Sequence, residues 1–401
     1  MANNLAASFR KIWAKEMQEI FTKVNVSMGI TSNKFLPDLT RGKTLTRPYY
    51  TENTIQDYTR GSDLTEQAVN SNEETLSVDK EFGDLFYIDK FDKLQSAFDD
   101  IQKFGNLVSR KISNQLDADV LSEVRNADSV LDGGDVTGGT AGDGIALTTT
   151  TFPEVIGGAK KSLRKKNIGF ENAFMVISPS GEDVAYQYGI SRETTMGDVI
   201  YKNGFVGKVN GFRVFVSNNL TGSQTLDFAT NWTAGDTLTV NGVVLTAAAA
   251  PSGAGEIDVA ADADTSRGLI ATVLNASGAT SSSGEYVAVS AADQLKLRNI
   301  VATNDDTNNR LTVFGKGIPE LAVSASLTAG SDGWDSDKAI THFIAGIQDC
   351  ITVVVQSNPS MLINQAPKRN GKFIVSTILY GIKSFKDGRE SMVNIKVKMD
   401  S

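Results

Sequence analysis

Histidine and cysteine each occur once in these 401 residues, as His342 and Cys350. A single histidine excludes His-rich metal sites and carboxylate–His–His centres. It also leaves any serine or cysteine nucleophile one possible base, which sits among Ile340, Phe343 and Ile344 in the setting of a packed side chain. A single cysteine excludes an internal disulfide framework and fits a reducing compartment. No apolar run approaches the roughly 18 residues of a membrane-spanning helix. The opening MANNLAASFRKIWAKEMQEIF has no apolar signal-peptide core, and Glu16 and Glu19 suit a transit peptide poorly. Arg41-Gly42-Lys43-Thr44 resembles the end of a phosphate loop, but Pro37 stands where that loop needs glycine. Asp262 and Asp264 open a calcium-loop pattern whose twelfth position is Val273, with no carboxylate. Catalytic residues, metal ligands and cofactors are therefore all expected to be none.

What is present is ordinary in amount and uneven in placement. Apolar residues make up 40% and charged residues 21%, enough for two or three domains with cores of their own. The net charge is −8. Residues 1–47 nevertheless carry eight Lys/Arg against three acids, and residues 366–401 again eight against three, whereas residues 221–337 carry five against fourteen. Such asymmetry points to surfaces with different surroundings, or to solvated faces.

The longest regular signal runs from Leu94 to Ala127. Leu94, Phe98, Ile101, Phe104, Leu107, Ile112, Leu116, Leu121 and Val124 recur at a helical period, with a polar back rich in Asp, Gln, Lys and Arg. A helix of that length would span roughly 50 Å and form the spine of an elongated subunit. Before it, residues 3–22 read as an amphipathic helix that packs on protein. Residues 45–90 read as a long β-hairpin of two polar, Thr/Tyr-rich runs around the tip RGSDLTEQAVNSNE. A two-stranded hairpin is marginal alone in water and needs another surface to lie on.

After the spine, LDGGDVTGGTAGDG reads as a flexible Gly/Asp linker. A helix follows with Thr151 as N-cap and Glu154 completing a capping box; Lys165 and Lys166 close it. A strand, Ala173–Ile177, leads into a helix capped by Ser178, and Asn210-Gly211 turns a hairpin. Between about Thr221 and Trp334 the composition changes to Ala, Thr, Ser, Gly and Asp. This stretch reads as a self-contained β-rich domain inserted into a surface loop, with strands at Thr237–Val240, Val243–Thr246, Glu256–Val259, Tyr286–Val289, Gln294–Ile300, Arg310–Phe314 and Leu321–Leu327 and one helix, Thr265–Asn275. Strands near Ile340–Ile344, Cys350–Val355, Lys372–Lys383 and Ser391–Lys398, the last two joined by a turn at Asp387-Gly388, close the chain.

The ordered set of basic arm, projecting hairpin, spine helix, "VNGFRVFVSNNL" hairpin and closing "ILYGIKSFKDGRESMVNIKVK" resembles the major capsid (coat) protein of tailed bacteriophages, the Hong Kong-type fold shared with encapsulins. The resemblance covers about residues 30–220 and 337–401. It implies an α+β fold with an N-terminal arm (1–44), an extended loop (45–92), a peripheral domain (93–175 and 364–401), an axial domain (176–220 and 337–363) and an insertion (221–336). It implies a structural, non-enzymatic role: self-assembly through hexamers and pentamers into an icosahedral virion capsid around double-stranded DNA, bound without sequence preference, in the bacterial cytoplasm and away from any membrane. A separate scaffolding protein and a portal are the expected partners. In the extended loop, Tyr58, Arg60, Asp63, Leu64, Glu66 and Glu73 would touch a neighbouring subunit. Arg10, Lys11, Lys15, Lys160, Lys161, Arg164, Lys165 and Lys166 would face DNA. The chain departs from crosslinking relatives in having no lysine between Ser62 and Asp79. An encapsulin-like compartment and a tail or surface adhesin are the alternatives.

Overall fold

The computed structural model describes residues 25–35, 37, 39, 42–51, 53–61, 63–90, 100–190, 207–328, 332–365 and 370–399. In chain order these form β1 (Thr31–Ser32), β2 (Thr44–Tyr50), β3 (Ser71–Ser77), β4 (Lys80–Asp89), α1 (Asp100–Ser122), β5 (Ser129–Leu131), α2 (Thr151–Lys165), β6 (Ala173–Ile177), α3 (Pro179–Ile190), β7 (Lys208–Val209), β8 (Phe212–Val216) and β9 (Thr221–Asp227). The chain continues through β10 (Thr237–Val240), β11 (Val243–Ala248), β12 (Glu256–Asp258), α4 (Ala263–Asn275), α5 (Ala291–Leu297), β13 (Ile300–Asp305), β14 (Arg310–Gly315), β15 (Val323–Ser326) and β16 (Gly333–Trp334). It ends with β17 (Ile340–Ile347), β18 (Ile351–Gln365), β19 (Gly371–Lys383), α6 (Lys386–Glu390) and β20 (Met392–Lys398).

One sheet dominates. Its order is β13-β14-β9-β17-β6-β8-β7, with β20 and then β5 continuing from β17. β6 is buried at every residue, which explains its unbroken apolar sequence. A second sheet, β1-β18-β19-β4, carries the long β18–β19 ladder, and a third, β12-β11-β10-β15, lies wholly within 221–336. The main core gathers α1, α2, β6, β17 and β20 around Phe152, Phe174, Phe343 and Ile395.

The spine is present as α1, 23 residues and roughly 35 Å long. Residues 94–99 of the expected run, and the whole 3–22 helix, lie outside the described residues. The expected single stripe holds for Val108 and Ile112, but Asp117–Ser122 are buried on every side. The end of the spine is therefore a core helix.

Several expectations need correction. The second run of the hairpin divides: β3 pairs with β2, while β4 leaves the hairpin to pair with β19 over Asp89–Lys80. No turn signal marks that break at Val78-Asp79; the partner strand decides it. The Gly/Asp stretch is ordered rather than a loose linker. Asp132 accepts from the Gly134 and Gly142 N–H groups, and Gly133 donates to the Asp143 carbonyl at 2.9 Å. At the start of α2, Thr148 and Thr151 cap each other, and Glu154 instead holds Thr137 through its N–H and hydroxyl. Residues 294–297 lie in α5 and not in a strand, because Ser290 caps the Asp293 N–H. The Asp387-Gly388 turn is the short helix α6.

The insert has its own core around Trp232, Leu245, Ile270 and Val313. It is not self-contained, however. Its strand β9 is hydrogen-bonded on one side to β14 and on the other to the body strand β17, so a single sheet runs through both parts.

Candidate intersubunit surface

The β2–β3 hairpin is rooted firmly. Arg47 and Glu74 face each other across its strands, and both reach α6. Arg47 makes a two-pronged bond to Asp387, 2.9 Å on each arm, with its guanidinium over the rings of Phe35 and Phe385. Glu74 accepts from Arg389 at 2.7 Å and from the Lys386 N–H at 2.9 Å. Burial opposes the Glu74 charge, but these donors outweigh it and hold the carboxyl below its usual range. Beneath the pair, Leu76, Val78, Leu39, Val354 and Phe385 form a small separate core.

Beyond Thr51, whose N–H donates to the Asn70 carbonyl at 3.2 Å, two glutamines replace the backbone ladder. Gln67 accepts from the Thr54 N–H at 3.0 Å and donates to the Thr54 carbonyl at 2.7 Å; Gln56 does the same with Thr65, at 3.0 and 2.7 Å. Each side-chain amide stands in for a peptide group and keeps the finger extended. On it, Ile55 is 97% exposed, Tyr50 and Val69 70%, Tyr58 63% and Leu64 57%. Full burial of such side chains is worth about 1.5–3 kcal/mol each. Five of them in water leave on the order of 10 kcal/mol unrealised in the lone subunit. Arg60, Asp63, Glu66 and Glu73 are exposed along the same finger, so the predicted loop residues are brought together. Tyr58 and Leu64 are among the predicted contacts, whereas Tyr50, Ile55, Val69 and the glutamine clasps escaped the sequence reading; Gln56 and Gln67, symmetric about the tip, were the available signal.

Residues 51–244 match the model of a family described as "Phage capsid protein". The fold is shared with a chain of Mycobacterium phage Che8 (TM-score 0.58, 12% identity, covering 96% of each chain) and with the capsid structure of the cyanophage P-SCSP1u (0.56, 14%, covering 100% of this chain and 96% of that one). The capsid of Myoviridae phage XM1 is similar as well (0.51, 6%, 99% of each). The family match spans just under half of the chain, and the likenesses show that the whole chain has the fold of these phage capsid structures. No curated protein matches it in sequence.

The structure divides the predicted basic residues. Lys161, Arg164 and Lys165 are exposed on α2. Lys160 instead donates to the Asn210 carbonyl and side chain at 3.2 and 3.0 Å and lies over the Phe170 ring, and Lys166 pairs with Asp128 at 3.6 Å. Arg10, Lys11 and Lys15 lie outside the described residues. His342 is buried, hydrogen-bonded to Asn394 through Nδ1 and to Ser223 through Nε2, each at 2.9 Å. Burial pushes its pKa down to about 4, so the ring is neutral and joins β9, β17 and β20.

Two buried carboxylates on the spine had no counterpart among the predicted residues. Asp117 accepts from the Val26 and Ser27 N–H groups at 2.9 and 2.8 Å and from Asn219 at 2.7 Å, fixing the chain where it enters the body. Asp119 accepts from the Tyr380 hydroxyl at 2.7 Å.

Proposed function

We propose that this chain is the major capsid protein of a tailed bacteriophage, built on the Hong Kong-type plan, and that copies meet as hexamers and pentamers in an icosahedral shell around double-stranded DNA. The exposed apolar row on the β2–β3 finger carries this reading. A stiff projection rooted by two ion pairs, with apolar side chains exposed at its free end, fits a sibling's surface. Repetition of one contact around closed symmetry is what builds a shell. Tyr58, Arg60, Asp63, Leu64, Glu66 and Glu73 supply the contact, with Ile55 and Val69 added. Lys161, Arg164 and Lys165 face packaged DNA and meet phosphates without reading bases, together with Lys160, Lys166, Arg10, Lys11 and Lys15. Residues 45–92 act as the extended loop, 93–175 and 364–401 as the peripheral domain, 176–220 and 337–363 as the axial domain, and 1–44 as the arm. Assembly takes place in the host cytoplasm with a separate scaffolding protein and a portal.

Replacing residues 54–67 with Asn-Gly tests the reading. The shortened chain melts like the parent but gives no closed particles by negative-stain microscopy and sedimentation. Shells of parental size from that chain would refute the role of the finger.

A further inference from the structure

Where the insert meets the spine, cations outnumber the groups that could neutralise them. Asp119 is buried in α1, and its two oxygens are shared between Lys80 of β4, at 3.4 Å, and Lys316 of the insert, at 3.5 Å, with the Tyr380 hydroxyl on the same side as Lys80. Two guanidiniums stand beside them. Arg125, just past the spine, lies 5.0 Å over the Phe314 ring and donates to the Ser122 carbonyl. Arg298, which precedes β13, lies 4.3 Å over Phe82, itself stacked on Tyr380 at 5.8 Å. The neighbouring acid, Glu123, is held by Ser384 at 2.7 Å and by Asn126 at 3.0 Å. Four cations from four segments thus share two carboxylates, and among the described residues neither guanidinium has an ion-pair partner.

We propose that this seam binds an anion of the phosphate class, held by Lys80, Arg125, Arg298 and Lys316. Crowded cations repel one another and are held together at a cost unless an anion completes the set. Burial holds the Lys316 ammonium below the usual lysine range; Asp119 opposes this, and Lys80 and Arg125 reinforce it. The side chains of Lys80 and Lys316 keep 28% and 21% of their exposure, and Arg298 is exposed, so the cluster opens to solvent. Guanidiniums offer forked donors that match tetrahedral oxyanions, and ammoniums add compact charge. The ligand bridges body and insert, because Lys80 and Arg125 belong to one and Arg298 and Lys316 to the other.

The full-length chain is melted in sodium phosphate and in sodium chloride at equal ionic strength, and phosphate binding is titrated by calorimetry. Phosphate raises the melting temperature above chloride, and Arg298→Gln, a change at an exposed side chain, weakens phosphate binding about ten-fold. Lys80→Gln does the same, whereas the double variant Lys161→Gln/Lys165→Gln leaves it unchanged. A short DNA duplex that displaces phosphate identifies the backbone phosphodiester as the source; a duplex that does not identifies free phosphate. Absence of any phosphate-specific rise, or equal binding by Arg298→Gln and the parent, would overturn the site.

Discussion

The two ends of the β2–β3 finger obey opposite rules. At its base, Arg47, Glu74, Asp387 and Arg389 pair off over a small apolar core, and each charge has a partner. At its tip, apolar side chains face water, and two glutamine amides bridge the strands between Thr54 and Gln67. The base resembles a folded interior, and the tip resembles half of an interface. On the proposed reading, a single hairpin separates fold stability from assembly along its length.

That division can be broken at measurable points. The largest effect on the subunit falls at the base. A side chain at Gly381 would place its Cβ 2.5 Å from the Ser77 carbonyl oxygen and 3.0 Å from the Val78 backbone. Gly381→Val is expected to cost more than about 3 kcal/mol in chemical denaturation and to loosen the finger from β19. The acid side comes next. The pKa of His342 is lowered in the fold to about 4 from an ordinary 6.5, so the unfolded chain takes up the proton first. Stability is then full above pH 6.5 and falls by about 3 kcal/mol on the way down to pH 4. His342→Gln, measured in denaturant at several pH values, should flatten that slope. The smallest pair compares the two ends directly. Arg389→Ala leaves Glu74 with a single strong donor and should cost about 1–3 kcal/mol. Because the Glu74 pKa is depressed, the bond it loses is one that contributes above the usual carboxylate range and fades as pH falls through it. Ile55→Ser should stay within about 0.5 kcal/mol of the parent in the lone subunit yet reduce particle yield. A loss of subunit stability at Ile55 equal to that at Arg389 would erase the distinction.

Elements whose cause is local could be read from the chain. The Ala173–Ile177 strand, the Ser178 cap and the two Asn-Gly turns, with Asn210 and Asn241 at φ 49°, needed only neighbouring residues. Elements whose cause lies far away were misread. Lys80–Asp89 looks like a continuation of the hairpin until β19, some 290 residues later, takes its hydrogen bonds. Asp117 and Asp119 look like solvated helix residues because their partners stand 39 to 261 positions off. Gln294–Ile300 alternates like a strand at Leu295 and Leu297, and the Ser290 cap overrules that alternation. At the finger, Tyr58, Leu64 and the charged residues were recognised through a family resemblance, while Tyr50, Ile55 and Val69 were legible only once their exposure was known.

The sheet shared by body and insert has a mechanical consequence. Ser223, Gly222 and Thr221 face Ile340, Thr341 and His342 in one antiparallel ladder, and the His342–Ser223 bond adds a side-chain strut. A load drawn along β9 stresses these rungs together in shear instead of peeling them one by one. In the proposed shell, this ladder would therefore keep the insert from being drawn away from the body along β9.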